Sequence, residues 1–277
     1  MIPAIDILCY LFSPEAVERN WYQQEEMRRL LEWWSIEMKG RSVEEFLAER
    51  DAAGIERTCI PAVKMMSFQT KRTIWNDSAE EVARLVNQGP DRFIGLAGFS
   101  PWDKMDGVRE VERAIRELGF KGVYIHTYGF GIPLGHAHYY PLYAKCAELG
   151  VPVIMQVGHS AEAMPSDLGR PIHLDEVALY FPQLKIVGAH TGWPWVEEMI
   201  ALAWKHPNVF IGIDAHFPRY LDASLLQFMK TRGKNKVLFG TNGLPAHIIR
   251  AQFEELGLSD EVKRKILREN AERVLGL

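Results

Sequence analysis

The strongest constraint on this chain is an alternation that runs its whole length. Short apolar, β-prone runs occupy residues 4–11, 57–63, 93–99, 119–126, 151–157, 184–190, 209–214 and 236–241. Between them lie stretches with helical periodicity at 42–54, 77–87, 108–118, 139–149, 174–181, 195–206 and 221–231, with terminal helices at 245–256 and 259–275. Uninterrupted apolar strands that alternate with helices are buried on both faces and belong to a parallel sheet. Eight such units without a Pro/Ser linker or a shift in composition predict one α/β domain, a (β/α)8 TIM barrel spanning 1–277. Residues 13–40 break the rhythm. This Glu-, Trp- and Met-rich segment (Trp21, Met27, Trp33, Trp34, Met38) is expected to be a helical insertion after strand 1 that covers the barrel mouth or packs in a homo-oligomer.

Composition excludes several classes. The 277 residues are 47% hydrophobic and 25% charged, enough for a large core. A net charge of −4 without a basic run argues against nucleic acid. Three widely spaced cysteines, Cys9, Cys59 and Cys146, suit reduced thiols. No apolar run approaches the ~18 residues of a membrane span. The expectation is a cytoplasmic protein with a small-molecule substrate and no membrane partner.

Ligands of parallel α/β barrels sit at the carboxyl ends of the strands. Strand 6 reads Ile186 to Ala189 and then His190, before a Thr-Gly break. The other strand ends supply Tyr10, His126 with Tyr128, Gln156 with His159, Asp214 with His216, and Asn242. Titratable groups converging on one mouth point to a site. His190, Asp214, His126 and His159 are the candidate catalytic groups, since imidazole and carboxylate transfer protons near neutral pH. Tyr10, Tyr128, Gln156, Trp193, His216, Arg219 and Asn242 are the candidate substrate contacts. Tyrosines donate to a developing oxyanion, amides bind carboxylates or carbonyls, and Arg219 anchors an anion. Trp193, Trp195, Phe130 and Phe217 suit a planar or aromatic compound. His136-Ala137-His138 is an H-x-H in the loop after strand 4. It reads as solvated loop histidines, because metal sites need several oriented ligands.

Several segments carry a family resemblance. They are Ile5-Asp6-Ile7, Gly119-Phe120-Lys121-Gly122-Val123 with His126, residues 153–158, 184–192 and 237–241, and Glu269-Asn270-Ala271 with Leu275. Together they resemble the amidohydrolase superfamily, in its amidohydrolase-2 branch, which includes aromatic-acid decarboxylases. The resemblance implies the barrel, a divalent metal (usually zinc) and ligands from strands 1, 5, 6 and 8. On this chain the strand 1 pair falls on Leu8 and Tyr10, the strand 5 histidine on Gln156 and the strand 8 aspartate on Asn242. His190 alone matches. One imidazole with neutral oxygen groups lacks the donors of catalytic zinc. These residues therefore predict a degenerate metal site, no cofactor, and lyase (decarboxylase or hydratase) or hydrolase chemistry on a small cyclic or aromatic carboxylate. The alternatives are a metal-dependent hydrolase with unusual ligands and a non-catalytic ligand-binding or oligomer-forming relative.

Overall fold

The structure is a computed structural model that describes residues 1–277. Its centre is an eight-stranded parallel sheet in chain order. The strands are β1 (Ala4–Asp6), β2 (Ile55–Pro61), β3 (Phe93–Gly98), β4 (Val123–Ile125), β5 (Val153–Gln156), β6 (Ile186–Ala189), β7 (Val209–Gly212) and β8 (Val237–Leu238). The ladder closes past the strand ends. The Ile7 N–H donates to Phe239 O at 3.1 Å, and the Asn242 N–H to Leu8 O at 2.8 Å.

Strand alternation sorts the side chains into two cores. Ile94, Leu96, Tyr124, Ile154, Val187, Phe210 and Leu238 pack together inside the barrel. Their neighbours Phe93, Val123, Val153, Ile186, Val209 and Val237 face outward into the layer shared with the helices. The helices follow ordinary capping rules. Ser42 and Glu45 form a reciprocal capping box at the start of the Val43–Ala52 helix, and Ser78 caps Ala79–Gln88.

Three features of the elements matter for the site. β1 is short, so Leu8 and Tyr10 lie beyond it: the buried Asp6 carboxylate accepts the Leu8 N–H at 3.2 Å and turns the chain. After β2 comes a hairpin that the strand pattern does not reveal, Lys64–Met66 paired antiparallel with Thr73–Asn76, fixed by the buried Met65–Trp75 cross-strand pair. The excursion at 13–40 is helical as expected, with Pro14–Val17 running through a π turn at Glu18–Tyr22 before Glu25–Trp34. It lies across the mouth, where Trp21, Met27, Leu30, Leu31 and Trp34 line the cavity. No helix is long and apolar enough to cross a membrane.

The seam between β1 and β8 is held by a buried clasp. Asp6 Oδ2 accepts from Arg50 Nη1 at 3.1 Å and Thr241 Oγ1 at 2.5 Å, and Asp6 Oδ1 from the Thr241 N–H at 2.8 Å. Arg50 also donates to Cys9 Sγ at 3.2 Å and stacks over Phe46.

Candidate active site

A cavity of about 940 Å³ opens at the carboxyl ends of the strands. Tyr10, His126, Tyr128, Gln156, His159, His190, Trp193, His216 and Asn242 all line it, as the sequence predicts. Asp214 lies buried beneath His190.

Alternation alone would not bring His190 inward. Val187 and Ala189 face the barrel interior, so the next residue should face out. Positive φ angles at His190 (66°) and Thr191 (59°) reverse the chain and swing the imidazole into the mouth. Ala215 and Asn242 also adopt positive φ, 65° and 54°, a conformation costly for residues with a Cβ and concentrated at functional sites.

Asp214 follows the inward parity of Phe210 and Gly212. Two glycines make its slot: a Cβ on Gly212 would stand 2.6 Å from Asp214 Oδ1, and one on Gly240 2.7 Å from Asp214 Cβ. Asp214 Oδ1 accepts the His190 N–H at 3.2 Å, and Oδ2 lies 3.1 Å from His190 Nε2. That second approach is an ion-pair contact without hydrogen-bond alignment, so Oδ2 has no hydrogen-bond partner. Asn242 Oδ1 is 3.4 Å from the same Nε2. Burial works against charge on His190, but Asp214, then Glu162 and Asn242, outweigh it and hold its pKa above the usual value. Burial and the neighbouring His190 push His216 down.

A second imidazole–carboxylate pair sits across the mouth. His126 Nε2 is 3.3 Å from Glu162 Oε1, and Ser160 Oγ donates to Glu162 Oε2 at 2.8 Å. Burial opposes the charge of Glu162, yet His126 and Ser160 bring its carboxyl down to about 2. His126 Nδ1 is buried without a partner. Glu162 escaped the sequence reading because its loop has no periodicity.

Tyr124 was missed as well, although it shares the inward parity of His126. Gln156 Nε2 donates to Tyr124 Oη at 2.7 Å and to Tyr10 Oη at 3.3 Å, and the two phenols are 3.2 Å apart. Counting protons fixes the pattern. Gln156 supplies two hydrogens and one phenol supplies a third, so one hydroxyl hydrogen is left over. Tyr124 is fully buried and Tyr10 lines the cavity. The free hydrogen therefore belongs to Tyr10. Burial pushes both phenols up, which keeps them protonated donors.

Four placements differ from expectation. Arg219 does not line the cavity: it is exposed and stacks on Tyr220 at 4.6 Å, so it is no anion anchor. Tyr128 lines the wall with its ring, but its hydroxyl donates to His159 O at 3.3 Å. Phe130 is in the outer core, and Trp195 lies under Arg170. His136 and His138 lie outside the cavity as expected, packed against each other.

A closed parallel barrel with two imidazole–carboxylate pairs and a phenol at its mouth places the chain in the TIM-barrel class. The chain belongs to the amidohydrolase family whose model matches residues 20–277, and it is an enzyme of that family. It is 25% identical over 284 residues to a gamma-resorcylate decarboxylase from Polaromonas sp. JS666, covering 82% of this chain and 85% of that one. An uncharacterized TIM-barrel protein from Bordetella bronchiseptica matches with a TM-score of 0.78 at 26% identity, over 99% and 98% of the two chains. A dihydroxybenzoic acid decarboxylase from Polaromonas sp. JS666 matches with a TM-score of 0.71 at 18% identity, over 100% and 98%.

The last of these was solved with bound manganese and the inhibitor 2-nitroresorcinol, which corrects the expectation that no cofactor is involved. No three His, Cys, Asp or Glu side chains here form a metal-binding group, so a zinc site of that kind does not fit. A hard divalent ion is a different matter, since such ions take one or two protein oxygens and complete their shell with water and substrate. Asp214 Oδ2, buried and without a hydrogen-bond partner, and Asn242 Oδ1 are the oxygens that suit one.

Proposed function

We propose that the protein is a carboxy-lyase that removes CO2 from an aromatic or cyclic carboxylate. The observation that carries this reading is His190, buried against Asp214 with a raised pKa, in one largely apolar mouth with the free hydroxyl hydrogen of Tyr10. Loss of CO2 needs one proton delivered to the carbon that bore the carboxylate. The C–C bond breaks, its electron pair stays with the ring, and the ring carbon ends with the hydrogen. A raised imidazole pKa keeps that proton available near neutrality. In this reading His190 donates it, while Asp214 and Asn242, beside Nε2, hold the imidazole in place.

Tyr10 donates to the substrate's carboxylate or neighbouring hydroxyl oxygen, and Gln156 and Tyr124 fix its direction. The His126–Glu162 pair faces the opposite end of the substrate and orients it. Trp193 and Phe217 exclude water around the carboxylate, which favours the neutral product CO2. A divalent ion held by Asp214 and Asn242 would supply Lewis-acid stabilisation of a substrate oxygen.

The test is CO2 release from a panel of hydroxybenzoates and cyclic unsaturated acids, with protein treated with manganese or with chelator. Stoichiometric CO2 that vanishes in His190→Asn is expected. Turnover unchanged in His190→Asn would remove this assignment.

A further inference from the structure

The cavity is much larger than the chemistry requires. A site for a single aromatic ring needs about 150 Å³, against about 940 Å³ here. Much of the cavity's lining is apolar, although Glu37, Lys39, Arg41 and Glu49 also reach it. Trp21, Met27, Leu30, Leu31 and Trp34 of the excursion form one wall, and Met65 and Trp75 of the hairpin continue it. It joins the polar floor directly: the Tyr10 ring is 5.3 Å from Trp75, which is 5.3 Å from Trp21.

This wall is built rather than loosely laid across the mouth. Buried Asp77 ties its two halves, taking the Trp75 indole N–H at 2.6 Å, Asn20 Nδ2 at 2.9 Å and Arg19 at 2.7 Å. Farther along, the Tyr22 hydroxyl donates to Met38 O at 2.9 Å and accepts the Met38 N–H at 3.0 Å, pinning the end of the excursion. A fixed apolar annex continuous with a set of proton donors selects a ligand of matching shape.

We propose that the substrate carries, beyond its reacting carboxylated ring, an apolar body lying along Trp75, Trp21, Leu30 and Leu31: a second ring or an alkyl chain of about four to eight carbons. The class is an alkyl- or aryl-substituted ring carboxylate, not a bare monocyclic acid. The inference rests on the carboxy-lyase reading for the ring and its carboxylate, and on the annex alone for the body.

The experiment titrates the full-length protein with 2-hydroxybenzoates bearing 4-alkyl chains from methyl to hexyl, following tryptophan fluorescence, and measures CO2 release in the same samples. Affinity should rise about two- to fourfold per methylene, the range expected for transferring a CH2 from water to an apolar wall. Trp34→Ala, which removes a 46% exposed indole from the same wall, should lower the gain for the longer chains while the melting temperature stays near that of the parent. A hexylphenol lacking the carboxylate should bind at least tenfold more weakly than its carboxylated partner. Affinity independent of chain length overturns the inference, and so does equal binding of the phenol, which would uncouple annex from floor. Rising affinity without CO2 release would keep the annex and sink the decarboxylase reading. CO2 release from the unsubstituted acid with no chain-length trend would do the reverse.

Discussion

Tyr10→Phe is the perturbation whose size follows most directly from the proton count. The phenol accepts from Gln156 at 3.3 Å and pairs with Tyr124 at 3.2 Å, which leaves its own hydrogen for the cavity. A hydrogen bond to a charged group contributes about 1.5–3 kcal/mol, or roughly 10- to 150-fold in kcat/KM if it is made to the substrate anion. Tyr10→Phe should therefore lower kcat/KM by about that factor, with its melting temperature near that of the parent. Tyr124→Phe is the informative contrast. It removes the bond that aims Tyr10 but leaves Tyr10's hydrogen in place, so about 1 kcal/mol, roughly fivefold, is expected. Steady-state kinetics on a carboxylated substrate that the parent turns over decide it. A Tyr10→Phe enzyme within threefold of the parent, or one less impaired than Tyr124→Phe, would refute the reasoning.

Other substitutions probe the scaffold of the site. Gly240→Ala places a Cβ 2.7 Å from that of Asp214 and 3.0 Å from Ile7, so Asp214 must move; kcat should fall about 10²-fold, as for other ångström-scale misplacements, in a protein whose circular dichroism is unchanged. Arg50→Met strands the buried Asp6 charge at the seam, and calorimetry should show a loss of about 3–5 kcal/mol, or roughly 6–10 °C for a chain of this length. Glu162, held at about 2, contributes stability that is complete above the ordinary carboxylate pKa and lost as pH falls from there toward 2; denaturant titrations of Glu162→Gln should lack that acid-side loss. The sign reverses for His190, whose pKa is raised: its contribution is complete below about 6.5 and lost as pH rises through the higher folded value.

The sequence makes the barrel legible because parallel strands buried on both faces leave uninterrupted apolar runs, and each run stops at a polar residue or glycine that marks the mouth. His126, His159, His190, Gln156 and Asn242 were found by that rule, and all line the cavity. The same alternation places Tyr124 beside His126 on the inner face, a signal present in the strand but hidden by its apolar surroundings. Glu162 was not readable, since loop geometry has no period; the excursion's place over the mouth was one of two expectations, but its docking through Asp77, 57 residues from Asn20, leaves no local signal. Arg219 shows the opposite error. A cation near a strand end looks like an anion anchor until its stacking on Tyr220 is seen. The metal expectation failed because counting nitrogen, sulfur and carboxylate donors tests for zinc, whereas the manganese-bound relative points to an oxygen-preferring ion.

The central claim is that His190 puts the proton on the carbon that loses CO2. Decarboxylation run in D2O, with product analysed by NMR and mass spectrometry, tests it most directly. One deuterium at the former carboxyl position is predicted, with kcat falling as pH rises through a single ionisation above 6.5 that is missing from the residual activity of His190→Asn. The same pH profile in both proteins would contradict the account.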